Sequence, residues 1–252
     1  NQFLQGQLNP DTSAFNHLQT YREQIEQVDR ILADDRTGLQ PQLDRYFAAL
    51  QGAADNPAYV PSRDVVLGEA QGLVDRFETI SRYLADQESV VNSQIEAAVA
   101  QVNAIANGIA QLNEKIVTAQ GSPTSAPPND LYDKREELVR QLAEFVDIDV
   151  IDVGATVNIA IGNGNPLVMK YEAAKLEAAP GLQDPFRVGI KFVSTVENVE
   201  ITDSLNKGSI AGFLDFREEG LSTAINSLGR LAVPFTQETN ATHKLGVDLE
   251  GR

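Results

Sequence analysis

The sequence predicts a mainly α protein: a long antiparallel helical bundle with a small antiparallel β-rich inserted domain. Three features predict it. Apolar residues recur at steps of three and four from Val66 to Ile116, the spacing that keeps one stripe of a helix on a single partner. The period changes near Asp147, after which Val157, Ile159 and Ile161 alternate as in a strand. Helical spacing returns near Ser209 and continues through Leu214, Leu221, Ile225, Leu228, Ala232 and Phe235. The expected organisation is a helical rod domain over 1–146, a β-rich insert over 147–206, and a return helix over 207–252 that completes the rod. A chain that leaves a bundle and comes back has both ends at the bundle, so the insert projects from it.

Residues 1–9 read as a polar lead-in with Phe3, Leu4 and Leu8 as anchors. A first helix is expected from Pro10–Asp11, with Leu18, Tyr21, Ile25, Val28 and Leu32 on its seam and Gly38 as its stop. A shorter helix follows, with Leu43, Phe47 and Leu50 on one face. Gly52 to Pro61 reads as a loop, because Asn56-Pro57 and Val60-Pro61 are breakers.

Ser62 is positioned to cap the long helix, which should end near Ala119. Its seam is Val66, Ala70, Leu73, Phe77, Ile80, Leu84, Val91, Ile95, Ala98, Val102, Ile105, Ile109, Leu112 and Ile116. That is roughly seven heptads, or about 75 Å of helix at 1.5 Å per residue. One slot, Glu88, is polar. A polar group there either fixes register and association state or marks where the seam turns to solvent.

Residues 120–129 are dense in turn formers. Asn129 or Asp130 then caps a helix with Leu131, Leu138, Leu142 and Phe145 on its seam and Glu136, Glu137 and Arg140 outside. In the insert, Gly162 to Pro166 is a turn between the Val157–Ile161 run and a run from Leu167 to Tyr171. Val188 to Val193 form a further run, and 194–206 hold a short strand or a connector. Pro234 should kink or end the return helix.

Composition narrows the function classes. A formal charge of −16 argues against nucleic acid and anionic membrane surfaces. No apolar run approaches the ~18 residues of a membrane span, and no signal-peptide pattern opens the chain. Cysteine is absent, which removes disulfides, thiol catalysis and Cys-ligated metals. The first residue is Asn1 and the one methionine is Met169, so the chain reads as a fragment.

The two histidines, His17 and His243, are far apart and read as unrelated residues rather than a metal pair. Gly162-Asn163-Gly164-Asn165 lacks the lysine and helix of a phosphate loop. Asp147, Asp149 and Asp152 lack the Gly and Glu spacing of a calcium loop, and read as a charged strand edge. Asn240-Ala241-Thr242 is a short sequon of low specificity. No catalytic set, cofactor or metal site is expected.

Several segments do match a known family. Asn129-Asp130-Leu131-Tyr132-Asp133-Lys134-Arg135-Glu136-Glu137-Leu138-Val139 resembles the Asn-Asp-Leu-x-Asp-x-Arg-Asp-x-Leu-Val segment of the flagellar hook-associated protein 1 family. Gly208 to Arg217, Leu228-Gly229-Arg230-Leu231-Ala232, Asn240-Ala241-Thr242-His243 and Gly246-Val247-Asp248 are similar to its later motifs. Upstream, Tyr83 to Gln87 and Val91-Asn92 fit its long helix. The likeness runs in order along nearly the whole chain and is weakest in the β insert. Val233 to Thr239 depart from the family's smoother helical run.

The resemblance implies a flagellin-like rod lacking the terminal axial-core segments. It implies a structural, non-enzymatic adaptor of the bacterial flagellum that joins hook to filament and supports filament assembly. The implied partners are other copies of itself in a ring, the hook protein, the second junction protein, and an export chaperone bound through a tail beyond Arg252. The implied location is extracellular, reached by type III export without a cleavable signal.

The chain alone is expected to be mainly monomeric. Glu88, Asn129, Asp133, Arg135, Asp215 and Arg217 are the structural or interface candidates, with Asp133–Arg135 and Asp215–Arg217 as possible polar anchors. Two other classes remain: a helical coiled-coil signalling or sensor module, and an enzyme or sugar-binding module in the insert. The insert offers few aromatic platforms, Tyr171, Phe186 and Phe192, for the latter.

Overall fold

A computed structural model describes residues 2–34, 38–121, 128–181, 184–194 and 198–246, with side chains from Leu8 onward. It is mainly α, with two small antiparallel sheets. The expected anchoring by Phe3 and Leu4, most of the 120–129 turn region and the Val247-Asp248 motif lie outside the described side chains or residues.

The helices begin and end differently from several expectations. Helix α1 runs Gln2–Leu32 and contains Pro10. Proline removes one rung, but the next turn is fastened by Ser13, so the helix passes through. Gly38 has φ −65° and ψ 172°, and its N–H donates to the Asp34 carbonyl at 2.7 Å. It opens helix α2 (Leu39–Asp55) rather than closing α1 in a left-handed turn.

Helix α3 runs Val60–Gln120, with Pro61 in its first turn, where no N–H is needed. Most of the expected loop is therefore helical. Helix α4 runs Asn129–Phe145; Pro128 precedes it, and Asn129 is its exposed first residue, with no side-chain cap hydrogen bond at the N-cap.

The first sheet has the order β1 (Ile148–Val153), β2 (Thr156–Ile161), β3 (Asn165–Met169), β4 (Glu172–Ala173). The β2–β3 register shifts between Ile159 and Ala160, where Pro166 meets its neighbour. An irregularity is where a proline fits in a sheet. Met169 ends β3, and Lys170 turns with φ 54°, so the expected run to Tyr171 is split. The second sheet is β5 (Lys175–Pro180), β6 (Val188–Val193), β7 (Asn198–Glu200).

Helix α5 (Gly208–Asp215) leads into a π-helical turn, Phe216–Leu221, and then helix α6 (Ser222–His243). Pro234 lies inside α6 and does not end it. The turn beyond is held by Phe235, whose ring meets Tyr46 edge-on at 5.8 Å.

Contacts divide the chain into two compact units. One comprises 1–23 and 89–216; the other comprises 24–88 and 217–252.

In the first unit the buried face of α3 holds Val91, Ile95, Ala98, Val99, Val102, Ile105, Ala106, Ile109, Ala110, Asn113 and Ile116. This stripe is wider than one heptad seam because α3 serves partners on more than one side. The sheets contribute Val157, Ile159, Ile161, Leu167, Leu176, Ile190 and Phe192. On α4 the buried face is Arg135, Val139, Leu142 and Ala143, while Leu131, Leu138 and Phe145 are half-buried. Leu138 Cδ1 would lie 2.9 Å from a side chain on Gly108, so a small residue there lets the two helices close up.

Ser13 on α1 is fully buried; its hydroxyl sits 2.8 Å from the Ala143 carbonyl and 3.2 Å from that of Val146. These are orphan acceptors at the end of α4. At the start of α5, Gly208 has φ +85° against the Phe145 backbone, a conformation and a gap that suit glycine.

In the second unit Val28, Tyr46, Leu73, Ile80, Leu84 and Leu221 are buried. The buried face of α2 is Gln42 and Tyr46, not Leu43, Phe47 and Leu50; Phe47 is 54% exposed. Gln42 Nε2 donates to the Glu69 carbonyl at 3.2 Å and lies 2.8 Å from where a Gly72 side chain would begin. Tyr83 donates its hydroxyl to the Gln27 carbonyl at 3.2 Å, and burial pushes its phenol pKa up. Arg76 reaches the Ile31 carbonyl near the end of α1 at 3.4 Å. On α1 itself, Leu18 is exposed, and Ser13, Gln24 and Val28 take the buried positions.

Candidate functional site

Arg135 is the best-built of the six candidate residues. It is 6% exposed; Nη1 donates to Asn113 Oδ1 at 3.0 Å and to the Ala155 carbonyl at 2.8 Å. Its guanidinium lies 5.0 Å from the centre of the Tyr132 ring, a cation–π distance. Burial lowers its pKa, and Tyr132, Asp152 and Glu136 counter that. Arginine remains charged under such conditions, so Arg135 is an internal cation bolting α4 to α3 and to the β1–β2 turn. Asp133 is exposed on another side of α4 and makes no ion pair with it among the described residues.

Asp215 is taken by His17 rather than by Arg217: Nε2 and Oδ2 are 2.6 Å apart. Beside that pair α1 and α5 approach closely. A side chain on Gly212 would begin 2.6 Å from the His17 carbonyl and 2.8 Å from Thr20 Cβ. His17, read from sequence as an isolated residue, is therefore a link between elements far apart in the chain.

Arg217 is buried at the start of the π-helical turn, and its carbonyl accepts from the Ser222 hydroxyl at 2.9 Å. Glu88 is half-buried at the end of the second unit, beside a groove between α3 and α6. Asp147 pairs with Lys207 at 3.0 Å, while Asp149 and Asp152 lie exposed on the edge strand β1.

The sequence reading missed three asparagines on α3. Asn92 donates Nδ2 to the Phe186 carbonyl at 2.9 Å, and its Oδ1 accepts the Val188 N–H at 3.2 Å. Asn103 treats Leu176 alone in the same way, at 2.8 Å in both directions. Asn113 donates to the Val157 and Lys170 carbonyls at 2.8 and 2.6 Å, and its Oδ1 accepts from the Val157 N–H at 3.1 Å and from Arg135. All the bonding capacity of the Asn113 amide is spent. These side chains imitate a neighbouring strand: they pair with main-chain groups and so dock both sheets onto one helix. Their signal was present in the sequence, as asparagines about three helical turns apart along an apolar stripe.

An open cavity of about 610 Å³ adjoins Arg135, between the start of α1, α4 and β1. Its walls carry Glu137 and Arg140. Arg140 is in a two-sided exposed network with Glu137 and Glu144, both at 2.6 Å. Hydrogen bonds from Arg140 and Gln141 hold the Glu137 carboxyl down at about 2. Among the described residues no group of three or more His, Asp or Glu converges on a point. No described helix is long and apolar enough to cross a membrane.

A family model described as the flagellar hook-associated protein FlgK helical domain matches residues 25–252. Flagellar hook-associated protein 1 of Salmonella typhimurium is 37% identical over 252 residues, covering 99% of this chain and 46% of that protein. Its counterpart in Bacillus subtilis is 26% identical over 276 residues, covering 99% and 54%. Among solved structures, the flagellar hook junction protein FlgK from Burkholderia pseudomallei gives a TM-score of 0.89 at 29% identity, covering 98% of this chain and 45% of that one. The chain thus spans about half the length of the curated relatives it matches. A helical signalling module finds no support among these relatives. The order of the flagellar motifs, the mixed helix-and-sheet fold and the match along almost the whole chain agree, and the chain belongs to the FlgK family of flagellar hook-associated proteins.

Proposed function

We propose that this chain is the helical part of a structural adaptor that joins the flagellar hook to the filament and supports filament assembly. One observation carries the proposal: the 37% identity to a flagellar hook-associated protein extends over 99% of the chain, helices and sheets together. The work is mechanical rather than catalytic. Copies pack beside one another in a ring, meet the hook protein on one side and the second junction protein on the other, and reach the cell exterior by flagellar export with a chaperone's help. The division into a helical domain over 1–146 and 207–252 with a β-rich insert over 147–206 is kept as the functional one.

Within this proposal the six candidates divide by their contacts. Arg135 and Asp215 tie the chain's own elements together, and Arg217 is buried at the π-helical turn. Asn129 and Asp133, exposed on α4, and Glu88, beside the α3–α6 groove, face neighbours. Many identical lateral contacts let each one be weak, because the rest of the assembly raises the effective concentration. The chain alone is accordingly mainly monomeric at micromolar concentration, which sedimentation velocity measures.

Deleting the parent gene in its motile host tests the main proposal. The expected result is hooks without filaments and unassembled flagellin in the medium. Normal filaments and normal swimming overturn it.

A further inference from the structure

Just before β6 an aromatic side chain stands in solvent on a hydrogen-bonded backbone. Phe186 is 86% exposed. Its N–H donates to Asp184 Oδ1 at 3.0 Å and its carbonyl accepts from Asn92 at 2.9 Å. The Arg187 N–H donates to the Asp184 carbonyl at 3.1 Å, and its own carbonyl accepts the Gly181 N–H at 2.7 Å. The Val188 N–H is held by Asn92 Oδ1. The backbone around Phe186 is thus spent on holding its shape. An aromatic side chain on an ordered backbone has only two side-chain torsions to lose on docking, and such anchors dominate binding interfaces.

The same chain carries a hole of matching chemistry. Between α3 and α6 lies an open groove of about 630 Å³ with Leu84 buried among its lining and Phe77, Ile225 and Leu228 beside it. Ala85 and Gly229 leave it open: a side chain on Gly229 would meet no atom within 4 Å. The lining also includes Glu78, Arg82 and Glu88. Phe186 is bracketed by Asp184 and Arg187, themselves 3.5 Å apart. Both surfaces therefore carry charges of both signs beside an apolar centre. At a formal charge of −16, broad contact between copies is repulsive, and a mixed-sign spot is where two copies can approach.

We propose that Phe186 of one copy seats in the α3–α6 groove of a second copy. This rests on the junction reading, which supplies neighbouring copies. In a ring of copies, as the junction reading has it, the contact is heterologous: each copy offers Phe186 to one neighbour and a groove to the next.

The test uses the intact protein in its own host, with Phe186 replaced by the photoreactive residue benzoylphenylalanine. Isolated hook–filament assemblies are irradiated, and adducts are separated by mass and mapped by peptide sequencing. The expected product is a covalent dimer whose second chain is attached within 77–88 or 225–229. Gly229→Leu fills the groove and favours helix; it should cut dimer yield about tenfold without lowering the melting temperature. An adduct within one chain, an adduct elsewhere or on another protein, or no adduct from assembled protein overturns the proposal. Immunolabelling separates the two levels. Protein at the junction without the adduct defeats only this contact, whereas protein absent from the junction defeats the reading beneath it.

Discussion

The two halves of α3 carry the same apolar repeat and do different work. From Ser89 onward the helix buries a broad stripe and uses three asparagines to hold the main chain of two sheets. Before Glu88 it buries only Leu73, Ile80 and Leu84, and leaves Val65, Leu67 and Val74 exposed. The second half adds amides that pair with strand peptides to a broad apolar stripe, whereas the first has a narrow line of aliphatic side chains with Arg76 and Tyr83 each reaching a single helix carbonyl. A heptad pattern therefore specifies where one face goes but not how many partners share the helix, and the polar residues beside the stripe carry that second piece of information.

The largest test of this contrast places a charge on each half. Val99 is 3% exposed and Val74 is 50% exposed. Val99→Lys should cost about 4 kcal/mol, because it buries an unpaired cation. Val74→Lys should stay within about 0.5 kcal/mol. Urea denaturation of the two variants measures both, and equal losses would erase the distinction. Next is Asn113→Leu, which leaves the Val157 peptide, the Lys170 carbonyl and one Arg135 bond without their partner; the expected loss is about 3 kcal/mol. Hydrogen exchange should show the Val157 amide losing protection before those of α6.

Asn103→Ala removes two bonds at a half-buried position, at about 1–2 kcal/mol. Exchange at Leu176 reports it. An unchanged Leu176 amide would show that the sheets are held by apolar packing alone.

The smallest effect marks where polarity stops fastening anything. Glu137 is exposed on α4, and its carboxyl is held at about 2 against an ordinary 4.5. A depressed folded pKa adds stability above about 4.5 that fades as pH falls towards 2; in water at the surface that addition is slight. Side-chain NMR titration should place the midpoint near 2 and move it back towards 4.5 in Arg140→Gln. The melting temperature at neutral pH should barely change.

Much of the fold was legible because burial follows periodicity. The α3 seam, the Val157–Ile161 strand and the return to helix after Gly208 were all visible as changes of repeat. Local breakers misled where tertiary contacts outweigh them. Pro10 and Pro234 each remove one rung, yet Ser13 and Phe235 hold the adjoining turns. Gly38 was read as a stop because glycine suits left-handed turns, but here it is extended and starts a helix. The α2 seam was misphased and Leu18 was misplaced on α1, where Val28 is buried as expected, because Ser13, Gln24 and Gln42 occupy inner positions, and hydrophobicity alone cannot see a buried polar group. The π-helical turn at Phe216–Leu221 has no compositional signature. Of the candidate residues, Arg135 was found for its motif, but its partners were not, because Asn113, Ala155 and Tyr132 meet it only in the folded chain.

Asparagine amides that pair with peptide groups have a consequence for how such a protein changes over generations. Every residue type supplies the same N–H and C=O, so the grip of Asn92 and Asn103 does not depend on which side chains the strands display. Position along the helix is fixed while strand composition remains free. The β region can thus be rewritten, shortened at its hairpins or given a new outer face without renegotiating its seat. The rigid helix acts as a socket with a standard fitting, and the sheets are the exchangeable part.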